Sequence, residues 1–322
     1  MVLVALVLVG LGSGILLYNN IEGYISSLHR NPVQMCIQGQ VASRAALVIS
    51  KYSRDHPVFL TLRDFFWVTS QSKFQLPYGT NGSEDTIMQV LAVANDFHIP
   101  QEIERLQCKR CIVVGSGYRM KNSSLGEIIN KYDIVIRLNN APVHKFEGDV
   151  GSKTTFRFFY PESAFSDPVL DNNPDTLMVL VPFKSLDMKW IKTILKNEMR
   201  IRKGFWKKPP IIWNVKSKNI RILNPYFMRV AATNLLGKNV TKEKVIAKPT
   251  TGFMAISFAI HFCDMVHIAG FGYPAFNDSQ PIHYYDKTSV KIMMKSAHKI
   301  PLEAIAIRAL LQHNVVQNVT YF

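Results

Sequence analysis

The chain has 322 residues, and 48% of them are hydrophobic. A chain of this length and apolar content buries a large core, so the composition excludes an intrinsically disordered protein. Lys and Arg outnumber Asp and Glu by 38 to 23, which gives a formal net charge of +15. This excess predicts an anionic partner, such as a nucleic acid, an acidic membrane or a phosphorylated substrate, without choosing among them.

The N-terminal segment is strongly apolar. Residues 1–21 carry no charged side chain, and residues 2–18 are almost entirely hydrophobic. An α-helix rises about 1.5 Å per residue, so this run spans about 25 Å, near the lower limit for a transmembrane helix. A cleaved signal peptide is the alternative, although Tyr18-Asn-Asn20 matches a small-residue cleavage site poorly. We interpret residues 1–21 as a membrane anchor and the unpatterned residues 22–35 as a short stem.

Cysteines and glycosylation sequons indicate a secretory compartment. The four cysteines allow three disulfide pairings; they are Cys36, Cys108, Cys111 and Cys263. A zinc site is a weaker reading, because no second pair of ligands accompanies the one close pair of cysteines. A redox pair is also weaker, since this pair precedes a strand and does not open a helix. Asn-x-Ser/Thr sequons occur at Asn81, Asn122, Asn239, Asn277 and Asn318.

Residues 108–155 have the pattern of one βαβ unit. Ile112-Val-Val114 is typical of a buried strand, Gly115-Ser-Gly117 of a tight turn, and Asp133-Ile-Val-Ile-Arg137 of the next strand. Between them, Ser124-Leu-Gly-Glu127 predicts a capping box that opens a helix. The unit implies a parallel sheet whose ligands bind outside the carboxyl ends of its strands. A Gly-x-Gly turn alone is weak evidence for a nucleotide site.

A second segment combines hydroxyl side chains with the start of a helix. Lys248-Pro-Thr-Thr-Gly252 precedes an apolar stretch at residues 253–262, which predicts a helix, and residues 265–269 predict a strand. Hydroxyl and backbone N–H groups at a helix start are suited to bind an anion. The alternative is that a threonine simply caps a buried helix.

Two histidine segments follow. The first is His283-Tyr-Tyr285, and in the second His298 precedes Glu303 by five residues. Histidine titrates near neutral pH and can act as a base or stabilise a phosphate. The alternative interpretation is a helix that starts at Pro301, in which Glu303 only favours the helix dipole. Its buried face would then comprise Leu302, Ile305, Ala309 and Leu310.

Taken in order, these segments resemble the motifs of the eukaryotic sialyltransferase family across roughly residues 36–322. The resemblance implies an α/β, glycosyltransferase-A-like fold, with a mostly parallel central sheet flanked by helices in a single catalytic domain. It further implies transfer of sialic acid from CMP-sialic acid to a sugar hydroxyl, by a single-pass type II protein in the Golgi lumen. Within the family, residues 159–165, 202–207 and 221–225 most resemble β-galactoside α-2,3-sialyltransferases that act on N-acetyllactosamine.

The resemblance also implies roles for individual residues. His298 is then the base that accepts the acceptor proton, and His283 stabilises the departing phosphate, in one inverting displacement. The resemblance also implies that Cys111 pairs with Cys263, which leaves Cys36 and Cys108 as the second pair. The implied contacts with the donor CMP-sialic acid are Ser116, Asn139, Tyr160, Thr250, Thr251 and Gly252.

Several further expectations concern cofactors, partners and alternatives. The chain has no Asp-x-Asp triplet, and the leaving group carries a single phosphate, so we predict no metal ion and no cofactor. The expected partners are CMP-sialic acid, galactose-terminated glycans of glycoproteins or glycolipids, and the Golgi membrane, without nucleic acid. A cleaved, secreted form is a further expectation. A sialyltransferase with another acceptor or linkage is the nearest alternative.

Two alternatives come from other functional classes. Ser116 stands where the family usually has Asn, which allows a catalytically inactive luminal glycan-binding protein. A dinucleotide-dependent oxidoreductase would share the βαβ unit and the Gly-x-Gly turn. Against it, Met120 replaces the third glycine of the Gly-x-Gly-x-x-Gly fingerprint, and the second strand ends in Asn139 without an acidic residue.

Overall fold

The computed structural model describes residues 36–66, 72–94, 96–165, 167–237, 248–272, 280–289 and 298–320. The predicted anchor and stem, at residues 1–21 and 22–35, lie outside these ranges, as do Asn239 and Asn277. Within these ranges, none of the helices has the length and apolar character needed to cross a membrane.

A parallel sheet of seven strands organises the described residues, and all six strand pairings are parallel. The strands are β1 Arg110–Val114, β2 Ile134–Leu138, β3 Phe156–Phe159, β4 Leu177–Leu180, β5 Ile220–Ile222, β6 Met265–Ala269 and β7 Gln317–Asn318. Their spatial order is β5-β4-β3-β2-β1-β6-β7, so β2 to β5 are added on one side of β1, and β6 and β7 on the other. This reversal places a topological switch point between β1 and β6, where open α/β sheets bind ligands.

Helices and short helical turns connect and cover the strands. A π-helical turn at Ala231–Leu235 continues one of them, and a 3-10 turn at Pro161–Ser163 follows β3. The predicted βαβ unit and the predicted helix before β6 are both present. The α-helices are α1 Gln40–Val48, α2 Arg63–Phe66, α3 Glu84–Ala94, α4 Gln101–Glu104, α5 Gly126–Asn130, α6 Glu147–Val150, α7 Ser185–Leu195, α8 Pro225–Val230, α9 Thr251–Phe262 and α10 Ile300–Gln312.

Helix α9 is the centre of the larger of two hydrophobic clusters. Ten of its 12 residues are buried, so it is apolar on all sides. It packs against β1, β2, β3 and β6 on one side and against α1 and α8 on the other. A helix covered in this way is held rigidly relative to the strands, and its N-terminus is correspondingly well positioned.

The second cluster lies on the opposite face of the β3–β5 half of the sheet. Alternation along β4 separates the two, because Leu177 and Val179 join the first cluster while Met178 and Leu180 join the second. Helices α3 and α7 complete the second cluster. The sheet is therefore covered on both faces, as a parallel sheet requires.

The predicted capping box at Ser124 is wrong. Helix α5 begins two residues later, with Leu125 in the capping position and no side-chain cap. Asp149 instead accepts the backbone N–H of Ser124 at 2.9 Å and that of Asn122 at 2.8 Å. A Cβ atom at Gly126 would lie 2.1 Å from the Glu147 carbonyl oxygen, so close packing of α5 on α6 sets the helix start.

The buried face of α10 also differs from the one that the alternative interpretation of this helix predicted. Ile305 is 61% exposed, whereas Glu303 is only 5% exposed. The buried positions are Ile300, Glu303, Ala306 and Leu310, a face rotated by one residue from the predicted one. A carboxylate turned into the protein interior needs hydrogen-bond partners, and its partners lie in the site described below.

A disulfide bond joins Cys111 in β1 to Cys263, the residue after α9, as the resemblance implied. Their Cα atoms are 6.1 Å apart. Cys36 and Cys108 are also disulfide-bonded, so none of the four cysteines is free. Full oxidation is typical of a secretory protein.

Candidate active site

The predicted donor-binding residues lie at the carboxyl edge of the sheet. Ser116 follows β1, Asn139 follows β2 and Tyr160 follows β3. The N-terminus of α9 reaches the same edge, because a Cβ atom at Gly252 would lie 3.3 Å from Leu138 Cδ1, at the end of β2. Strands that run parallel bring their ends together, so side chains far apart in sequence line one edge.

The turn after β1 is packed directly against the end of β6. The Gly115 N–H donates to the Ala269 carbonyl at 2.7 Å, and the Gly117 N–H donates to the Gly270 carbonyl at 3.0 Å. A Cβ atom at Gly115 or Gly117 would lie 2.5 or 2.4 Å from the Gly270 oxygen. Both glycines are therefore required by backbone contact at the switch point, and their N–H groups bind the protein itself.

The segment that contains His283 pairs with this turn. Gly117 and His283 form an isolated antiparallel bridge, and the Tyr284 N–H donates to the Ser116 carbonyl at 3.1 Å. The Tyr284 hydroxyl donates in turn to the Pro142 carbonyl. These contacts place His283 beside the predicted donor site, although 167 positions separate it from Ser116 in the sequence.

Asp286 orients the His283 ring. Its Oδ2 lies 2.9 Å from His283 Nδ1, and the imidazole stacks on Tyr285 with an interplanar angle of 2°. Burial alone would raise the pKa of Asp286, but hydrogen bonds from the Thr288 backbone and from His283 outweigh burial and lower it. Because an ionised carboxylate can only accept, Nδ1 is the donor, and Nε2 is the nitrogen left to face a ligand.

His298 is held in the form suited to a base. Its Nδ1 lies 2.7 Å from the Lys248 carbonyl oxygen, which can only accept a hydrogen bond. Nδ1 therefore carries the proton, and in the neutral ring Nε2 carries the lone pair. Burial lowers the pKa of His298, so the neutral imidazole dominates at neutral pH.

Glu303 binds the N-terminus of α9. Its Oε1 accepts the Thr250 N–H at 2.7 Å, and its Oε2 accepts the Thr250 hydroxyl at 2.6 Å. The Thr250 Oγ1 also accepts the Phe253 N–H at 3.1 Å, so Thr250 is the N-cap of α9. Burial raises the pKa of Glu303 to about 7, although the hydrogen bonds from Thr250 oppose this rise.

Residues 248–250 are thus held at both ends, because His298 contacts Lys248 and Glu303 contacts Thr250. The histidine is thereby held at a set position relative to the start of α9. The sequence motif indicated that Glu303 matters but not why. The recurrence of Glu303 at helical spacing with Ala306 and Leu310 was the available signal for its burial.

Two buried arginines, which the sequence analysis did not single out, lie beneath this edge. Arg157 donates to the carbonyl oxygens of Asn139 and Ala141, each at 3.0 Å, and to that of Asp171 at 2.7 Å. Arg137 donates to the backbone carbonyls of Val150, Gly151 and Lys153 and to the Thr154 hydroxyl. A charged residue inside an apolar strand was the available signal for both.

The arginines remain cationic at neutral pH. Burial lowers the pKa of Arg137 to about 9 and that of Arg157 to about 10, both above neutrality. Their hydrogen bonds to neutral carbonyl oxygens leave the positive charge available to act on the adjacent edge of the sheet. That field favours anionic ligands there.

Asn139 and Tyr160 complete the edge. Asn139 has a left-handed backbone with φ of 52°, and its buried Oδ1 has no hydrogen-bond partner among the described residues. The Tyr160 ring packs edge-on against Phe183 at 5.5 Å, and burial raises the pKa of its phenol to about 12. Tyr160 is therefore protonated at neutral pH and can donate a hydrogen bond.

Thr251 is buried at the first residue of α9.

Among the described residues, no group of three or more His, Cys, Asp or Glu side chains is arranged to hold a metal ion. The site thus combines two oriented histidines, a capped helix N-terminus and buried cationic charge.

Comparisons with known proteins bear on this arrangement. Rattus norvegicus CMP-N-acetylneuraminate-beta-galactosamide-alpha-2,3-sialyltransferase 4 is 55% identical over 289 residues, which are 89% of this chain and 86% of that protein. Homo sapiens type 2 lactosamine alpha-2,3-sialyltransferase is 38% identical over 297 residues, which cover 90% of this chain and 88% of that protein. Both similarities extend well beyond the motifs.

A solved structure and a family model agree with these relatives. The crystal structure of a mammalian sialyltransferase in complex with Gal-beta-1-3GalNAc-ortho-nitrophenol superposes with a TM-score of 0.69 at 26% identity, covering 90% of this chain and 99% of that one. The model of glycosyltransferase family 29 (sialyltransferase) matches residues 59–315, from before β1 to beyond α10. The chain that brings these histidines and this helix N-terminus to one sheet edge therefore belongs to the family 29 sialyltransferases.

Proposed function

We propose that this protein transfers sialic acid from CMP-sialic acid to the 3-hydroxyl of a terminal β-galactose. The names of the relatives at 55% and 38% identity, an alpha-2,3-sialyltransferase that uses CMP-N-acetylneuraminate and a type 2 lactosamine alpha-2,3-sialyltransferase, support the donor, the linkage and the galactoside acceptor. Within the site, the observation that carries the proposal is the His298 contact with the Lys248 carbonyl, because it makes Nε2 a base.

The proposed reaction is a single displacement. Nε2 of His298 accepts the proton of the acceptor 3-hydroxyl as that oxygen bonds to the anomeric carbon of sialic acid. The bond from that carbon to the CMP phosphate breaks, and its electron pair leaves with the phosphate. His283 stabilises the added negative charge by donating a hydrogen bond from Nε2–H to the phosphate, a role that requires a proton on both ring nitrogens while Asp286 accepts from Nδ1. The β configuration of the donor becomes α in the product.

The donor is proposed to lie across the switch point of the sheet. Ser116, Asn139, Tyr160, Thr251 and Gly252 are the proposed contacts, and Arg137 and Arg157 supply cationic field beneath them. The N–H and hydroxyl of Thr250 are both bound to Glu303, so its proposed contribution is to cap and position α9. No step of this mechanism requires a metal ion.

The proposed location is the Golgi membrane, with the catalytic domain in the lumen. The oxidised cysteines support a secretory compartment. Two of the described sequon asparagines, Asn81 and Asn122, have exposed side chains that can carry glycans.

The test is product formation by the full chain in detergent, with CMP-sialic acid, N-acetyllactosamine and a chelator. His298→Ala should abolish transfer, whereas His313→Ala should not. His313 is a matched control because its Nδ1 also contacts a backbone carbonyl, that of Ala309, at an exposed position. A product that resists an α-2,3-specific sialidase would contradict the linkage, and retained transfer by His298→Ala would contradict the base.

The nearest alternative acceptor is Gal-β-1,3-GalNAc, which the superposed mammalian structure contains. Parallel reactions with N-acetyllactosamine and with Gal-β-1,3-GalNAc distinguish the two. Preference for the second acceptor would retain the reaction and change its substrate.

A further inference from the structure

The connection between α7 and β5, residues 196–219, is longer than the sheet topology requires; its detour back to the carboxyl edge is called the excursion below. Helix α7 begins after β4 at the carboxyl edge, so it ends at the opposite edge, where β5 begins. Residues 196–219 nevertheless return to the carboxyl edge. There, Lys184 Nζ donates to the Gly204 carbonyl at 3.5 Å and lies 4.9 Å from the centre of the Phe205 ring. Long connections of this kind are usually functional.

The same lysine connects the excursion to the active site. Lys184 Nζ lies 2.6 Å from Oε1 of Glu162, a buried residue in the turn that directly follows Tyr160. Phe183, the neighbour of Lys184, packs against the Tyr160 ring. One ion pair and one aromatic contact therefore separate the tip of the excursion from a proposed donor contact.

Trp206 lies at this tip and is 73% exposed. Two other tryptophans, Trp190 and Trp213, are buried in the second hydrophobic cluster. Exposed cationic residues flank the tip at positions 202, 203, 207 and 208, which keeps it hydrated and disfavours burial against another apolar surface. A rigid indole held in solvent at the rim of an active site is suited to contact a substrate.

We infer that Trp206 binds the acceptor glycan by stacking on a sugar beyond the terminal N-acetyllactosamine. One face of a pyranose ring presents C–H groups and packs on a flat aromatic side chain, while the indole N–H can donate to a sugar hydroxyl. A galactose that presents its 3-hydroxyl to His298 leaves the rest of the glycan to extend over the rim. This inference rests on the proposed function and makes an extended oligosaccharide the preferred acceptor class.

The test compares two neutral acceptors, the N-acetyllactosamine disaccharide and the linear tetrasaccharide of two lactosamine units. The wild-type full chain should have a lower KM for the tetrasaccharide. Trp206→Ala should raise the tetrasaccharide KM roughly fivefold to tenfold, leaving its kcat and the disaccharide KM unchanged. Trp206→Phe should recover part of the loss. Met199→Ala, at a 91% exposed position of the same connection, is the matched control and should change neither KM.

Three outcomes would overturn the inference. Equal wild-type KM values for the two acceptors would remove any subsite beyond the disaccharide. A Trp206→Ala change that affects both acceptors equally would assign the side chain a structural role, and an unchanged tetrasaccharide KM would exclude the contact. Absence of transfer by the wild-type chain to either acceptor is a different result, because it overturns the proposed function itself.

Discussion

Glu303 is a buried carboxylate whose contacts help to hold His298, the proposed catalytic base, beside helix α9. It takes both polar hydrogens of Thr250, while His298 five residues earlier binds the Lys248 carbonyl. Loss of either contact would allow residues 298–303 to move relative to α9. The tie is also sensitive to protonation, because burial raises the pKa of Glu303 from 4.5 to about 7.

The raised pKa of Glu303 makes the stability of the fold depend on pH in a definite direction. The native state binds the proton more tightly than the unfolded state, so the contribution of Glu303 is most favourable below pH 4.5. It is lost as the pH rises to about 7. Glu303→Gln has no group that titrates at this position. As the pH rises from 4.5 to 8, the free energy of unfolding of the wild type should therefore fall relative to that of Glu303→Gln by up to about 3 kcal/mol.

The measurement is denaturant unfolding of both chains across this pH range, together with kcat. Glu303→Gln should lower kcat roughly tenfold, because an amide cannot accept both hydrogen bonds from Thr250. Glu127→Gln replaces an exposed glutamate and is the control. A stability difference that does not vary with pH would show that Glu303 has an ordinary pKa.

At the scale of elements, the contact between the β1 turn and β6 sets the geometry of the switch point. Gly115 and Gly117 exclude any side chain there, and the segment with His283 adds to the outside of the same turn. Ser116 lies between them with its carbonyl bound by Tyr284. The Gly-x-Gly sequence is thus explained by packing of backbone on backbone.

Gly115→Ala should lower the free energy of unfolding by about 1–3 kcal/mol, because the new methyl group would press on the Gly270 carbonyl. The comparison variant is Gly148→Ala, where a Cβ atom meets nothing within 4 Å. That substitution lies in helix α6 and should be neutral or slightly stabilising. Equal unfolding curves for the two variants, by tryptophan fluorescence in denaturant, would contradict close packing at Gly115.

Elements differ in how far their local sequence determines them. Helix α9 and strand β6 follow from two apolar stretches after Thr250, at residues 253–262 and 265–269, and the structure agrees with both. The start of α5 does not follow from Ser124, because Asp149 binds the N–H that a local cap would have used. In α10 the pattern of apolar residues missed the buried face, since a carboxylate with specific partners occupies it.

For the whole molecule, the Cys111–Cys263 disulfide links β1 to the end of α9 across 152 residues of sequence. A cross-link over such a long loop mainly restricts the unfolded chain. Under non-reducing conditions, the free energy of unfolding of the double variant Cys111→Ser, Cys263→Ser should therefore be about 2–5 kcal/mol lower than that of the wild type.

Because Cys36 and Cys108 are also disulfide-bonded, the wild type and this variant should be compared without added reductant. Reduction of the wild type should lower its stability at least as much as the double substitution does. Unchanged stability of the double variant would show that packing of α9 alone holds these two elements together.

The amino-acid sequence by itself determined the family and the parallel α/β class, and it selected His283 and His298 as candidate catalytic residues, because these inferences depend on short motifs and on the order of apolar runs. Tertiary structure alone decided that His283 pairs with the turn after β1, that Glu303 holds Thr250, and that the Trp206 side chain is exposed. The physical reason is distance along the chain: a hydrogen bond or a packing contact between remote segments depends on which strands are neighbours, and no local pattern encodes that.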